Sequence, residues 1–267
     1  MQINPEIFRS YDIRGIVGQD IDGEVAEKLG RSFGSYVQEL DENTVIVGND
    51  NRESSDMLSK RLIKGLTESG VNVINIGLAT TPMVYYARKL FDIGPAIQIT
   101  ASHNPGEYNG FKMCIKKEEE SIYGDKIQEI REYTEKENFK SGFGKVTEEN
   151  ILDRYIDQIA EKVKLGNRKL KVVVDAGNGT ASIVAEKLLK KLGTEVVPLY
   201  CDLDPRFPNH HPDPSVPENL KDLSQKVIEE KADIGIGYDG DGDRIGVVDE
   251  NGNMIFGDLY MLIIWRD

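Results

Sequence analysis

The sequence predicts an α/β protein made of two similar three-layer α/β/α domains with mostly parallel mixed sheets. Three observations predict it. Short apolar runs of strand length alternate with segments of helical period along the 267 residues. Several of these runs are apolar at successive positions, as strands covered by helices on both faces are. The order strand, helix, strand, helix, strand, loop, strand occurs twice, which puts two related domains in one chain.

In the first half, residues 23–40 place Val25, Leu29, Phe33, Val37 and Leu40 on one side of a helix. Thr44-Val45-Ile46-Val47-Gly48 reads as a strand. Residues 56–70 read as a helix ending at a glycine, and 71–77 as the next strand. Residues 81–91 form a helix with Pro82 in its first turn. The strand Ala96-Ile97-Gln98-Ile99 leads into a polar loop, and Phe111-Lys112-Met113-Cys114-Ile115 leaves it.

The second half runs in parallel. Helices are expected at 150–163, 180–192 and 217–231, and strands at 170–175, 194–200, 232–237 and 245–248. The stretch Ser141-Gly142-Phe143-Gly144-Lys145 sets the expected boundary, with domains at 1–144 and 145–256. An apolar helix opening at Gly257-Asp258-Leu259 needs something to pack against. Residues 257–267 therefore read as the start of a third, truncated domain.

Composition narrows the function. The chain is 39% hydrophobic and 30% charged, an ordinary soluble balance, with a formal net charge of −13. That charge argues against nucleic acid or an anionic membrane as partner, because both require a basic face. The opening Met1-Gln2-Ile3-Asn4-Pro5 lacks the apolar core of a signal peptide, and no run approaches a membrane span. Cys114 and Cys201 lie far apart in apolar surroundings, as reduced thiols of a cytoplasmic protein do.

The chemistry concentrates in two loops, each expected at the carboxyl end of a strand, where ligands gather in open α/β sheets. The first is Thr100-Ala101-Ser102-His103-Asn104-Pro105. A serine hydroxyl is a weak nucleophile at neutral pH and needs a base, a metal or a charge stabiliser nearby. His103 reads either as that base or as a structural hydrogen-bonder. Lys112, in Asn109-Gly110-Phe111-Lys112, reads as an acid, a base, a phosphate partner or a solvated lysine.

The second loop is Asp239-Gly240-Asp241-Gly242-Asp243-Arg244. Three carboxylates this close repel one another unless a cation compensates, and oxygen-only donors suit Mg²⁺. A calcium-binding EF-hand fits poorly, since Arg244 stands where glycine is required and the flanks are strands. An aspartyl-nucleophile phosphatase with Asp239 as nucleophile fits the spacing but leaves the Ser102 loop unexplained. The arm Phe8-Arg9-Ser10-Tyr11-Asp12-Ile13-Arg14-Gly15 is a surface segment or a source of phosphoryl-stabilising arginine at Arg14. The turns Gly48-Asn49-Asp50-Asn51-Arg52 and Asp175-Ala176-Gly177-Asn178-Gly179 are weak signals.

Taken in order, Tyr11-Asp12-Ile13-Arg14-Gly15, the Ser102 loop, Asn109-Gly110-Phe111-Lys112 and the Asp239 loop resemble the α-D-phosphohexomutase superfamily. The likeness is nearest to its bacterial phosphomannomutase/phosphoglucomutase members, and Phe207-Pro208-Asn209-His210-His211-Pro212-Asp213-Pro214 adds to it. The resemblance implies a phosphoserine enzyme interconverting the 1- and 6-phosphates of mannose or glucose through a hexose bisphosphate. It implies Ser102 as phosphoryl carrier, and Mg²⁺ held by Asp239, Asp241, Asp243 and an oxygen of the phosphoserine. Arg14, His103 and Lys112 would serve catalysis, and Tyr11, Arg14, Lys112 and Arg244 would bind substrate. The family has four domains, of which this chain resembles the first two and the start of the third. The expectation is therefore a fragment inactive by itself, the alternatives being the phosphatase or a non-catalytic phosphosugar- or metal-binding module.

Overall fold

The computed structural model describes residues 3–117 and 121–266. The chain divides into two compact units, Met1–Ile151 and Leu152–Asp267. Met1-Gln2, part of the opening read above as no leader, and Asp267, at the end of the expected third-domain start, lie outside the described residues.

The first unit contains, in order, β1 (Ile13–Ile16), α1 (Gly23–Glu39), β2 (Thr44–Asn49), α2 (Ser55–Ser69), β3 (Asn72–Leu78), α3 (Thr81–Phe91), β4 (Ala96–Ile99), β5 (Tyr108–Cys114), α4 (Asp125–Lys136) and β6 (Val146–Glu148). Its sheet runs β1-β5-β4-β2-β3-β6. β2 pairs in parallel with β3 and β4, and β3 with β6, while β5 is antiparallel to β4 and β1. Alternation along β2 separates the layers. Val45 and Val47 join Leu29 and Phe33 of α1, Leu58 and Leu62 of α2, and Ile127 and Ile130 of α4 in one core. Gly48 points the other way, toward Val84 of α3.

The second unit contains α5 (Leu152–Lys162), β7 (Lys171–Asp175), α6 (Ala185–Lys191), β8 (Glu195–Leu199), α7 (Lys221–Glu230), β9 (Ile234–Tyr238), β10 (Ile245–Val248), β11 (Met254–Ile255) and α8 (Gly257–Arg266). Its sheet runs β11-β10-β9-β7-β8, with β7 parallel to β8 and β9, and β10 antiparallel to β9. Leu220, with Leu223 and Val227 of α7, covers Val173 and Val248. The orders β5-β4-β2-β3 and β10-β9-β7-β8 are the same pattern with the same strand directions. The repeat expected from the sequence is present, and both sheets are mostly parallel and mixed.

The structure departs from the expected elements in four respects. The arm around Arg14 is not a polar surface segment but strand β1, paired with β5 and burying Ile13. Helix α4 lies in a charged stretch with few apolar residues, of which Ile127 and Ile130, with Thr134, are buried at helical spacing. Strand β6 is exposed along its length and so carries no burial pattern to read, yet it pairs with β3. That pairing keeps residues 145–151 with the first unit, so the division falls beyond the expected 144/145 boundary. The helices expected at 180–192 and 217–231 each begin as a 3-10 turn, Thr180–Ile183 and Pro217–Leu220, before α6 and α7.

Candidate functional site

Beyond β4 the chain turns through Thr100–Pro105 before β5. Ser102 occupies this turn with φ 53°, the left-handed region that costs a residue with a Cβ roughly 1–2 kcal/mol. Its peptide groups hold it there. The Ser102 N–H donates to Thr100 Oγ1 at 2.8 Å, and its C=O accepts from Arg52 Nη2 at 2.9 Å. The residue is 1% exposed, and its Oγ lies 3.3 Å from His103 Nδ1.

Arg52 comes from the turn after β2, and its side chain is wholly buried. Nη1 donates to the carbonyls of Pro105 (2.7 Å) and Tyr108 (3.1 Å), and Nη2 to those of Ser102 (2.9 Å) and Asn104 (2.6 Å). Nε donates to Asp50 Oδ2 at 3.1 Å. Asp50 also accepts from the Arg52 N–H and from the Ser55 hydroxyl. Burial pushes the Asp50 carboxyl above its usual range, and the Arg52 guanidinium and the hydrogen bonds offset part of that. Asn109 Nδ2 joins the same network through Ser54 Oγ (2.8 Å) and Ser55 Oγ (2.9 Å).

Gly110 explains how Arg14 reaches this loop. Strand β1 pairs with β5 so that Arg14 stands opposite Gly110, where any Cβ would strike the Ile13 carbonyl and sit 3.1 Å from Arg14 Cα. From there Arg14 Nη1 donates to Asn104 Oδ1 at 2.6 Å, and Nη2 pairs with Asp12. Its Nε is buried with no hydrogen-bond partner among the described residues. Lys112 stands half-buried on β5 in register with Gln98, and Tyr11 is 74% exposed. The structure thus brings Ser102, His103 and Arg14 to one turn, while Lys112 and Tyr11 lie on the strand and arm flanking it.

In the second unit, the β9–β10 turn carries the aspartates. Asp239 Oδ1 accepts the N–H groups of Asp243 and Arg244, each at 3.0 Å, and the Asp239 carbonyl accepts from Gly242 at 3.1 Å. Asp239 and Asp241 are 0% exposed, and one oxygen from each of Asp239, Asp241 and Asp243 lies within 4.8 Å of the others. Asp243 and Arg244 are exposed. Three carboxylates gathered this closely, two of them buried, fit a hard divalent cation such as Mg²⁺.

This turn is braced from β7. The Thr180 N–H donates to the Gly240 carbonyl at 2.9 Å, and a Cβ on Gly179 would come within 2.8 Å of the same oxygen. Asp175 accepts from the Gly177 N–H at 2.8 Å and pairs with His210 Nε2 at 2.9 Å, while His210 Nδ1 lies 2.9 Å from the His211 carbonyl. Both ring nitrogens face acceptors, so the doubly protonated ring satisfies both. Burial opposes that charge, but Asp175 and the His211 carbonyl outweigh it and raise the His210 pKa.

Sequence reasoning missed Arg52, Asp50, Asp175 and His210 as supports. They lie in strand-ending turns and in a proline-rich loop, and the roles of Arg52, Asp175 and His210 depend on contacts distant in sequence, Arg52 with Asn104 and His210 with Asp175. Neither cysteine forms a disulfide, and Cys201 is half-buried with its thiol pushed up to about 11, chiefly by burial. Among the described residues no helix is long and apolar enough to cross a membrane.

The phosphoglucomutase/phosphomannomutase alpha/beta/alpha domain I family matches residues 5–141, and domain II of the same family matches residues 153–252. A phosphomannomutase/phosphoglucomutase of Pseudomonas aeruginosa is 45% identical over 261 residues, covering 98% of this chain and 56% of that protein. A phosphoglucomutase of Neisseria gonorrhoeae is 42% identical over 267 residues, covering 99% of this chain and 57% of that protein. A crystal structure of a phosphoglucomutase/phosphomannomutase family protein from Burkholderia thailandensis superposes with a TM-score of 0.94 at 41% identity, over 98% of this chain and 58% of that one. The chain therefore spans a little over half the length of the curated relatives it matches.

Proposed function

Because this chain belongs to the phosphoglucomutase/phosphomannomutase family, we propose that it supplies the phosphoryl-carrying and metal-binding parts of a phosphohexomutase acting on glucose or mannose phosphates. The observation that carries this reading is the Ser102 turn. Its left-handed serine is pinned at both peptide groups, with Arg14 on the same turn. In-line phosphoryl transfer depends on positioning and charge neutralisation, which this pinned backbone and the neighbouring guanidinium supply.

In the loading step, Ser102 Oγ attacks a phosphoryl group of a hexose bisphosphate. The new O–P bond forms as the P–O bond to the sugar breaks. The serine proton leaves to His103 or Lys112, and the departing sugar oxygen is protonated to a hydroxyl. In the full cycle the phosphoserine first passes its phosphoryl group to the free hydroxyl of a hexose monophosphate, giving the bisphosphate. That intermediate turns over, and the loading step then takes its other phosphoryl group back to Ser102 and leaves the isomeric monophosphate. Arg14 stabilises phosphoryl oxygens, Tyr11, Lys112 and Arg244 contact the substrate, and the buried turn limits water. When bound by Asp239, Asp241 and Asp243, Mg²⁺ would offset negative charge on the transferring group. Residues 1–267 alone are expected to load phosphate but to give little mutase turnover, since the relatives are nearly twice as long. Residues 257–267 are proposed as the start of a third domain, as the sequence suggests.

Intact mass after incubation with glucose 1,6-bisphosphate and Mg²⁺ tests the proposal. An acid-stable gain of one phosphate, absent in Ser102→Ala, is the expected result. An acid-labile acyl phosphate on Asp239 would instead establish the phosphatase reading.

A further inference from the structure

We propose that Arg52 is the positioning residue that sets Ser102 for phosphoryl transfer, a role that rests on the mutase reading but is visible in the loop itself. A guanidinium has five N–H donors in a planar fork, and here every one is engaged. Three go to carbonyl oxygens of the turn, those of Ser102, Asn104 and Pro105, one to that of Tyr108 at the start of β5, and the fifth goes to Asp50. The side chain is fully buried and comes from the end of β2, the strand next to β4, from which the turn departs.

The consequence for Ser102 is specific. Its φ of 53° is unfavourable for a serine, so the surroundings must impose it. Thr100 fixes the peptide before Ser102, and Arg52 fixes the peptide after it. Together they determine the direction of the Cα–Cβ bond and so confine Oγ to the χ1 rotamers about it. Arg52 touches no reacting atom. It acts through the backbone of the residue that does. A lysine retains the charge opposite Asp50 but offers three donors on a point charge and cannot span four carbonyls.

The test uses the 267-residue chain and its Arg52→Lys and Arg52→Ala variants. Thermal melts identify which variants fold cooperatively, and calorimetric Mg²⁺ titration checks that the Asp239 loop is unaffected. Two readouts follow. One is the rate of Ser102 phosphorylation by glucose 1,6-bisphosphate. The other is the ¹³Cα and ¹³Cβ shift of Ser102, which reports its φ without any turnover. The expected result for folded Arg52→Lys is a loading rate lower by on the order of 100-fold, with the half-saturating bisphosphate concentration little changed. Its Ser102 shifts should leave the left-handed values. In Arg52→Ala, added methylguanidinium should restore part of the loading rate and return the Ser102 shifts toward the left-handed values. Loading within about threefold of wild type in Arg52→Lys, or unchanged Ser102 shifts in either variant, would overturn the proposal. A wild-type chain that takes up no phosphate would sink the mutase reading, and the shift comparison would still decide whether Arg52 sets Ser102.

Discussion

The Ser102 turn and the Asp239 turn occupy equivalent places in the two repeats, between β4 and β5 and between β9 and β10, yet the weight of their support differs. Thr100 of the same turn holds the Ser102 N–H, but the carbonyls of the turn are held from outside, by a buried arginine from the turn after β2. Asp239 is held largely from inside, its carboxylate accepting two amides of its own turn. One hydroxyl must point in one direction, which calls for an external clamp on the backbone. Three carboxylates need only be gathered, and a short self-bonded turn does that. The same gathering stores repulsion that a cation relieves.

The contrast is tested most severely by removing the reactive groups one loop at a time. Ser102→Ala should abolish phosphate uptake by intact mass while leaving Mg²⁺ affinity within twofold of that of the unphosphorylated wild type. A second, equally efficient phosphorylation site in that variant would break the division of labour. Next in size is Asp50→Asn. Removing the partner of a buried arginine leaves an uncompensated charge, so the first unit should lose about 3 kcal/mol. Hydrogen exchange should show the loss in β2, β4 and β5 and not in the second unit. Uniform destabilisation of both units would mean that the Asp50–Arg52 clamp is not local to the Ser102 turn.

A smaller effect of opposite sign is expected in the other loop. Without metal, Asp241→Asn should stabilise the second unit by on the order of 1 kcal/mol, because it relieves repulsion between neighbouring carboxylates. With saturating Mg²⁺ the wild type should overtake it, since binding to the folded state adds stability by mass action. A variant that is less stable than wild type in chelator would show that the aspartates are held without strain.

The sequence made the frame and the candidate loops legible, but not the contacts that support them. Apolar runs such as Val172-Val173-Val174 and helical faces such as Val25, Leu29 and Phe33 show their burial directly, and both proved buried. Ser102 and the aspartates stand out because their residue types in polar loops between strands have few bland explanations. Arg52 and His210 do not stand out. An arginine in a strand-ending turn is ordinary, and only the pairing of β2 with β4 brings it beneath a turn some fifty residues later, as its bond to Ser102 shows. Strand β1 was hidden for a related reason: Asp12 and Arg14 make the arm look polar until β5 pairs with it.

The smallest expected effect separates the supports by their response to pH. Arg52 keeps its charge throughout the accessible range, and the carbonyls that it holds under Ser102 do not titrate. His210 differs. Its folded pKa lies above the ordinary histidine value of 6.5, with Asp175 and the His211 carbonyl overcoming the cost of burial. A raised folded pKa means that the pair's stabilisation is fully present below about pH 6.5 and is lost as pH rises through the folded value. Tyr200, edge-on to His210, is pushed up to about 12 by its bond to Asp222 and by burial, so it stays neutral across this window. Urea midpoints of the second unit should therefore fall between pH 6 and pH 8.5, and His210→Gln should flatten that slope, with His103 and His211 common to both proteins. The first unit should show no matching slope. Equal slopes in wild type and H210Q would show that the Asp175–His210 pair does not brace the turn beside the aspartates, and the contrast between a titrating and a non-titrating support would collapse.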